Sequence, residues 1–265
     1  MARALIERES GWRAFYDQNR PRIRAVLSIL AGFALWEIVA EKIITNRLII
    51  VPFSAVMKAL WKLAITGELW HHFYVSAAEF VLGFFLAAAV GIFLGFLMGT
   101  NTWFRESLEP LVSALYATPL VALIPFYILL FGIYMTSRIA LVFTVSVFPV
   151  LISTSAGLLS VDRNLLEVAS SFSATRKQVF FKIQIPAALP FIVSGLRLGV
   201  WRALTGVVVG ELFFATAGLG YMISIAGQNF DTPRLFVGVL IFALAGVLAI
   251  GFLQKIEKRM APWRT

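Results

Sequence analysis

Three ionisable side chains stand inside a stretch that otherwise belongs in lipid: Arg197, Arg202 and Glu211, within residues 187–212. A guanidinium at membrane depth costs about 3 kcal/mol or more and is held there by a counter-ion or by water. Five residues separate the two arginines, so they do not share a helix face. Arg197, nearer the polar segment that precedes the span, is expected to snorkel or to pair in the neighbourhood of Glu167. Arg202 lies deeper and is the candidate for a solute path or for an intramembrane ion pair with Glu211. Glu79 and Glu211 fall near one membrane edge, where ordinary solvation is expected. His71 and His72 have no further His or carboxylate near them in sequence and make a poor metal site, so the sequence offers no metal centre. With no Cys there is no thiolate chemistry, and no Gly-x-x-x-x-Gly-Lys-Ser/Thr loop is present to hold a nucleotide phosphate. A membrane-embedded hydrolase would need a nucleophile, a base and an orienting group in one cavity, and no such catalytic set can be assembled.

The second polar cluster is a loop, EVASSFSATRKQVFFKIQIP over residues 167–186. Leu165, Leu166, Val168, Ala169 and Phe172 recur at helical spacing, with Asp162 or Asn164 able to cap the start and Glu167 in the early turns. Ser170-Ser171 and Ser173-Ala174-Thr175 interrupt the pattern. A short helix follows over residues 176–183, with Val179, Phe180 and Ile183 on one face, and Pro186 and Pro190 are expected to close it and begin the next span. The product is a helix, turn, helix with one apolar face and a cationic rim at Arg176 and Lys177.

These residues are positioned by a membrane bundle. Hydrophobic residues make up 60% of the chain and charged ones 14%, with mean hydropathy +0.86, well outside the composition of soluble proteins. Apolar runs over 80–104, 110–137, 139–161 and 235–254, with interrupted ones over 25–44 and 187–212, predict six helices of about 20 residues or more. No strand alternation is visible, so the fold class is all-α. Residues 1–24 read as a polar, arginine-rich segment and 255–265 as a tail, with the transmembrane domain over 25–254. Of the Lys and Arg, fifteen fall on the side of both termini and of the 162–186 loop against six on the other, which puts those segments in the cytoplasm. The net charge of +9 therefore reads as topology and headgroup contact rather than nucleic-acid binding. Ser54 is expected to cap an amphipathic helix running through residue 73 on the outer face, Pro119, Pro125 and Pro149 to kink their spans, and Trp61, Trp70, Trp103 and Trp263 to lie in aromatic belts.

The loop spacing, Glu167-x-Ala169, Ser173 four residues on, then nine residues, then Ile183-x-Ile185-Pro186, resembles the EAA loop of binding-protein-dependent ABC importer permeases. Val168, Ser170, Ser173 and Ile185 depart from that pattern, and Ser173 replaces a Gly able to take positive φ. Gly67-Glu68-Leu69-Trp70, Ala117-Thr118-Pro119, Leu123-Ile124-Pro125, Gly195-Leu196-Arg197, Gly210-Glu211-Leu212 and Ala217 to Ile223 extend the likeness to the nitrate, sulfonate and taurine permease group. The resemblance implies a six-helix type I importer transmembrane domain in a bacterial cytoplasmic membrane. It further implies two ATPase subunits that hold ATP and Mg while this chain holds no cofactor, a second permease copy, and a periplasmic or lipid-anchored substrate-binding protein. Glu167, Ala169, Phe172, Ser173, Arg176, Lys177, Ile183 and Pro186 are then the ATPase-coupling segment. Arg202, Arg197, Glu211 and Pro119 are path candidates, with the second copy a further possible partner for Arg202. Gly218, Gly220 and Tyr221 are candidates for contact with the binding protein. The implied cargo is a small anion such as nitrate, a sulfonate or taurine, bicarbonate or an organic acid. An ion-gradient-driven carrier and a membrane hydrolase are the alternatives.

Overall fold

The structure, a computed structural model, describes residues 20–260 except 22 and 45. The arginine-rich segment over 1–24 therefore lies outside the described residues but for its last positions, as do residues 261–265 with Trp263. Among the described residues five helices are long and apolar enough to cross a membrane: α1 (Ile23–Ile43), α3 (Glu68–Thr100), α6 (Met135–Leu159), the continuous run Arg176–Phe214, and α11 (Thr232–Met260). The sixth apolar run forms a bent pair, α4 (Thr102–Ala117) and α5 (Ile124–Phe131), which meet at 84° in the manner of a broken span or a re-entrant loop. Shorter helices are α2 (Phe53–Ile65), α7 (Arg163–Ser171), α8 (Arg176–Val179) and α10 (Leu219–Gln228); α9 (Ile185–Phe214) completes the run that α8 begins.

The core is α6 held between α3 and α9. Lipid tails offer no hydrophobic drive between helices, so close backbone approach does the packing. Gly91, Gly95 and Gly99 repeat every fourth residue along α3, and a Cβ on any of them would lie within 3.0 Å of α6, at Val147 O, Thr154 or Leu158. Gly195 and Gly199 of α9 meet α6 from the other side, against Ser153 and Val150.

Several expected boundaries differ. The third apolar run is broken, not merely kinked. Pro119 forces Thr118 into extended backbone (ψ 136), a 3-10 turn over Leu120–Leu123 follows, and Pro125 sits in the first turn of α5. Pro149 stays inside α6. The amphipathic segment does not run through residue 73: Gly67 adopts φ +82, which ends α2 and starts α3. Nor does Ser54 cap α2. Its backbone N–H donates to Glu37 Oε2 at 3.0 Å, so a carboxylate from the end of α1 satisfies the first turn. Pro186 does not close the helix before it. A π turn over Phe180–Gln184 joins α8 to α9 and absorbs the lost donor.

Candidate functional site

The 162–186 loop and α2 lie at opposite ends of α3, whose 33 residues rise about 50 Å. The loop packs beside Thr100 at the far end, whereas Gly67 joins α2 to the near end. At the far end too, Arg197 Nη2 meets Glu257 Oε2 of α11 at 2.6 Å, in place of the pairing expected near Glu167. Trp36, on the later half of α1, donates to Val51 O beside α2 at 2.9 Å. The outgoing end of α11 and the loop therefore share one end of the bundle, and the incoming end of α1 points the same way.

Within the loop, Asp162 caps α7 by accepting from Asn164 N at 2.9 Å. The turn after α7 is a Schellman motif: Ala174 N donates to Ala169 O at 3.0 Å and Ser173 N to Ser170 O at 2.9 Å. Ser173 adopts φ +52, so it keeps the backbone that a glycine would favour. Ser173→Gly is accordingly expected to stabilise the turn by about 1 kcal/mol, read as slower local hydrogen exchange over residues 169–175. Thr175 and Gln178 then form a reciprocal capping box at the head of α8. Leu165, Val168 and Phe172 are exposed on one stripe of α7, and Phe172 is 83% exposed. Glu167 and Lys177 are exposed beside it. Ala169 is not on that stripe: it is buried, turned toward the chain's own turn. Arg176 lines a cleft of about 770 Å³ beneath α7 with Leu166, Ser170, Ala174 and Gln184. Ile183 and Pro186 are half-buried where the run enters the bundle.

The intramembrane charges assemble differently from expectation. Glu79 and Glu211 are 0% and 1% exposed, not solvated at an edge. Glu211 Oε1 accepts the Ser76 hydroxyl at 2.6 Å and Oε2 accepts Gly220 N–H at 2.5 Å, so Arg202 is not its partner. Ser76 Oγ also accepts from Leu219 N at 2.7 Å, and His72, buried rather than interfacial, takes Gly218 N–H on Nδ1 at 3.1 Å. Gly218 adopts φ +122, and a Cβ there would fall on the Glu211 carboxylate. Gly218 and Gly220 are therefore buried and clamped, and of the three expected docking residues only Tyr221 keeps part of its surface. Arg138, Ser76 and His72 carry this arrangement and were not singled out as sites from the sequence. Arg138 Nε meets Glu79 Oε1 at 2.6 Å and its Nη1 reaches Phe214 O at the end of α9 at 3.4 Å. Its signal was its place: the one charge between the apolar runs 110–137 and 139–161, with Glu79 just ahead of another.

Arg202 is exposed on α9 and forms no ion pair among the described residues. It lines a cavity of about 170 Å³ with Tyr116, Thr118, Pro119 and Thr205, at the break of the third span. Two path candidates, Arg202 and Pro119, are thus brought together, while Arg197 and Glu211 are engaged elsewhere.

The family model for the binding-protein-dependent transport system inner membrane component matches residues 87–262. Among curated proteins, a putative aliphatic sulfonates transport permease protein, SsuC of Bacillus subtilis, is 34% identical over 231 residues, 87% of this chain and 84% of that one. The taurine transport system permease protein TauC of Escherichia coli is 30% identical over 98% of this chain and 95% of its own length. The formylaminopyrimidine transport permease protein ThiX of Halalkalibacterium halodurans is 31% identical over 91% and 96%. Among solved structures, the inward-facing MetNI methionine ABC transporter superposes with TM-score 0.60 at 19% identity, over 71% of this chain and 93% of that chain.

Proposed function

Because the chain belongs to the family of binding-protein-dependent transport system inner membrane components, and so is a membrane-spanning permease subunit of an ABC importer rather than an enzyme, we propose that it carries a small oxyanion of the sulfonate type along a path that passes Arg202. The ATPase and the substrate-binding protein of such an importer are separate subunits. Neither a gradient-driven carrier nor a membrane hydrolase draws support from the relatives. The cargo class rests on Arg202. A guanidinium exposed within a span, without a carboxylate partner among the described residues, is matched by a bidentate anion. The sulfonate and taurine permeases among the relatives favour the same class.

Two copies of the chain related by a two-fold axis form the path, each giving one Arg202 to it. The 162–186 loop and both termini face the cytoplasm, as the Lys and Arg bias requires. ATP and Mg bind the partner ATPase, whose closure draws the two α7 segments together and rocks α3, α4–α5, α6 and α9 between inward-open and outward-open states. The partly exposed rim around Tyr221, carried on the clamped Gly218–Gly220 turn, receives the binding protein.

Uptake of taurine and ethanesulfonate into proteoliposomes holding the whole complex tests the cargo class. A charge-assisted contact contributes roughly 1.5–3 kcal/mol, so Arg202→Gln should lower uptake by about tenfold to a hundredfold, with Arg202→Lys between it and the parent. Unchanged sulfonate uptake in Arg202→Gln would remove the oxyanion reading.

A further inference from the structure

At the opposite end of the bundle from the coupling loop, α2 turns Lys58, Trp61, Lys62 and Ile65 to the outside along one face. The two lysines open into a pocket of about 450 Å³ between α2 and the first turns of α3 and α11, whose other charged walls are Glu68, Asp231 and Arg234. Both carboxylates of that pocket are engaged. Glu68 is bonded to Arg234, and Asp231 accepts the Arg234 backbone N–H at 3.3 Å. Glu37 lies within electrostatic reach of Lys58, but its Oε2 is taken by the Ser54 N–H. Neither Lys58 nor Lys62 forms an ion pair among the described residues. Arg234 Nε is buried there without an acceptor. Two unpaired lysines and one unsatisfied Nε of the Glu68-bound Arg234 therefore face one pocket.

We propose that this pocket binds the phosphate of an anionic phospholipid headgroup, with Lys58 and Lys62 meeting its oxygens and Arg234 at its inner wall. A lipid is favoured over a free anion by what borders the lysines. Trp61 is 71% exposed and Ile65 67%, so one face presents indole and aliphatic surface beside ammonium groups. Water alone would leave that surface uncovered, whereas the headgroup boundary of a bilayer accommodates indole and ammonium together. The lipid would bridge α2 to α11 and fix the cap over the outer end of α3. This inference stands whichever solute the permease carries.

Native mass spectrometry of the purified chain in nanodiscs, after mild delipidation, tests it with phosphatidylglycerol, phosphatidylcholine and inorganic phosphate as probes. The parent chain is expected to retain phosphatidylglycerol over phosphatidylcholine, and Lys58→Gln with Lys62→Gln to lower that preference by about 30-fold. Both lysines are exposed, so elution volume and helix content should be unchanged in the double variant. An undiminished preference in the double variant overturns the proposal. So does the absence of any phosphatidylglycerol preference together with lysine-dependent binding of inorganic phosphate, which would make the pocket a site for free oxyanions.

Discussion

Replacing Arg138 by Met is expected to cost roughly 3–5 kcal/mol and to deplete the folded permease, because it leaves Glu79 as an uncompensated charge at a site closed to water. The pair joins α3 to α6 at 2.6 Å, and the same guanidinium reaches the Phe214 carbonyl at the end of α9. Three spans therefore meet on one side chain. A cation is also favoured at that spot by the C-terminal end of the α9 dipole. Removing both charges is a different experiment. Glu79→Leu combined with Arg138→Met leaves an apolar contact of similar volume, and buried pairs replaced in this way are often neutral or better. The double variant should thus recover most of the stability lost by Arg138→Met alone. Apparent melting of detergent-solubilised protein, followed by size-exclusion fluorescence, measures both. Equal melting of Arg138→Met and the parent would show that the pair carries no weight in the fold.

That pair also marks where sequence reasoning stopped. Six apolar runs were legible because hydrocarbon thickness imposes a length that no soluble helix needs; five correspond to helices long enough to cross and the sixth to the bent α4–α5 pair. The 162–186 loop was legible because capping and spacing are local: Asp162, Thr175 and Gln178 act on residues within three positions. Glu79 and Arg138 are 59 residues apart, and an acid near one span end reads equally well as solvated or paired until the neighbour is placed. Pro119 and Pro149 look alike in sequence. One breaks its span and the other rides inside α6, since a proline's effect depends on whether adjacent helices satisfy the freed carbonyl. Ala169 fails for a related reason. Apolar period 3.6 finds a face but not what covers it, and here the Schellman turn draws Ala169 inward while Phe172 stays outside.

Phe172 carries the other large expectation. An aromatic ring 83% exposed, in line with exposed Leu165 and Val168 on the loop end of the bundle, marks an interaction surface. Glu167 and Lys177 frame the stripe with charges of both signs, which suits a polar rim around an apolar anchor. Truncating an aromatic anchor at an interface typically costs 2 kcal/mol or more, at least about 30-fold in affinity. Phe172→Ala is accordingly expected to weaken binding of the partner ATPase by that factor and to lower ATP-driven uptake with it. The permease itself should stay folded, because the ring packs on little of its own chain. Ser170→Ala, next to Phe172 but facing the cleft beneath α7, should leave ATPase binding near the parent value. Surface plasmon resonance with the ATPase immobilised, run beside melting of each variant, separates docking from folding. If Phe172→Ala binds the ATPase as tightly as the parent while Glu167→Arg does not, the contact is electrostatic and the apolar stripe is covered by lipid headgroups instead. Loss in Phe172→Ala with unchanged melting is the result that makes α7 the mechanical handle, since it ties one exposed ring to energy transfer without disturbing the packing of the bundle.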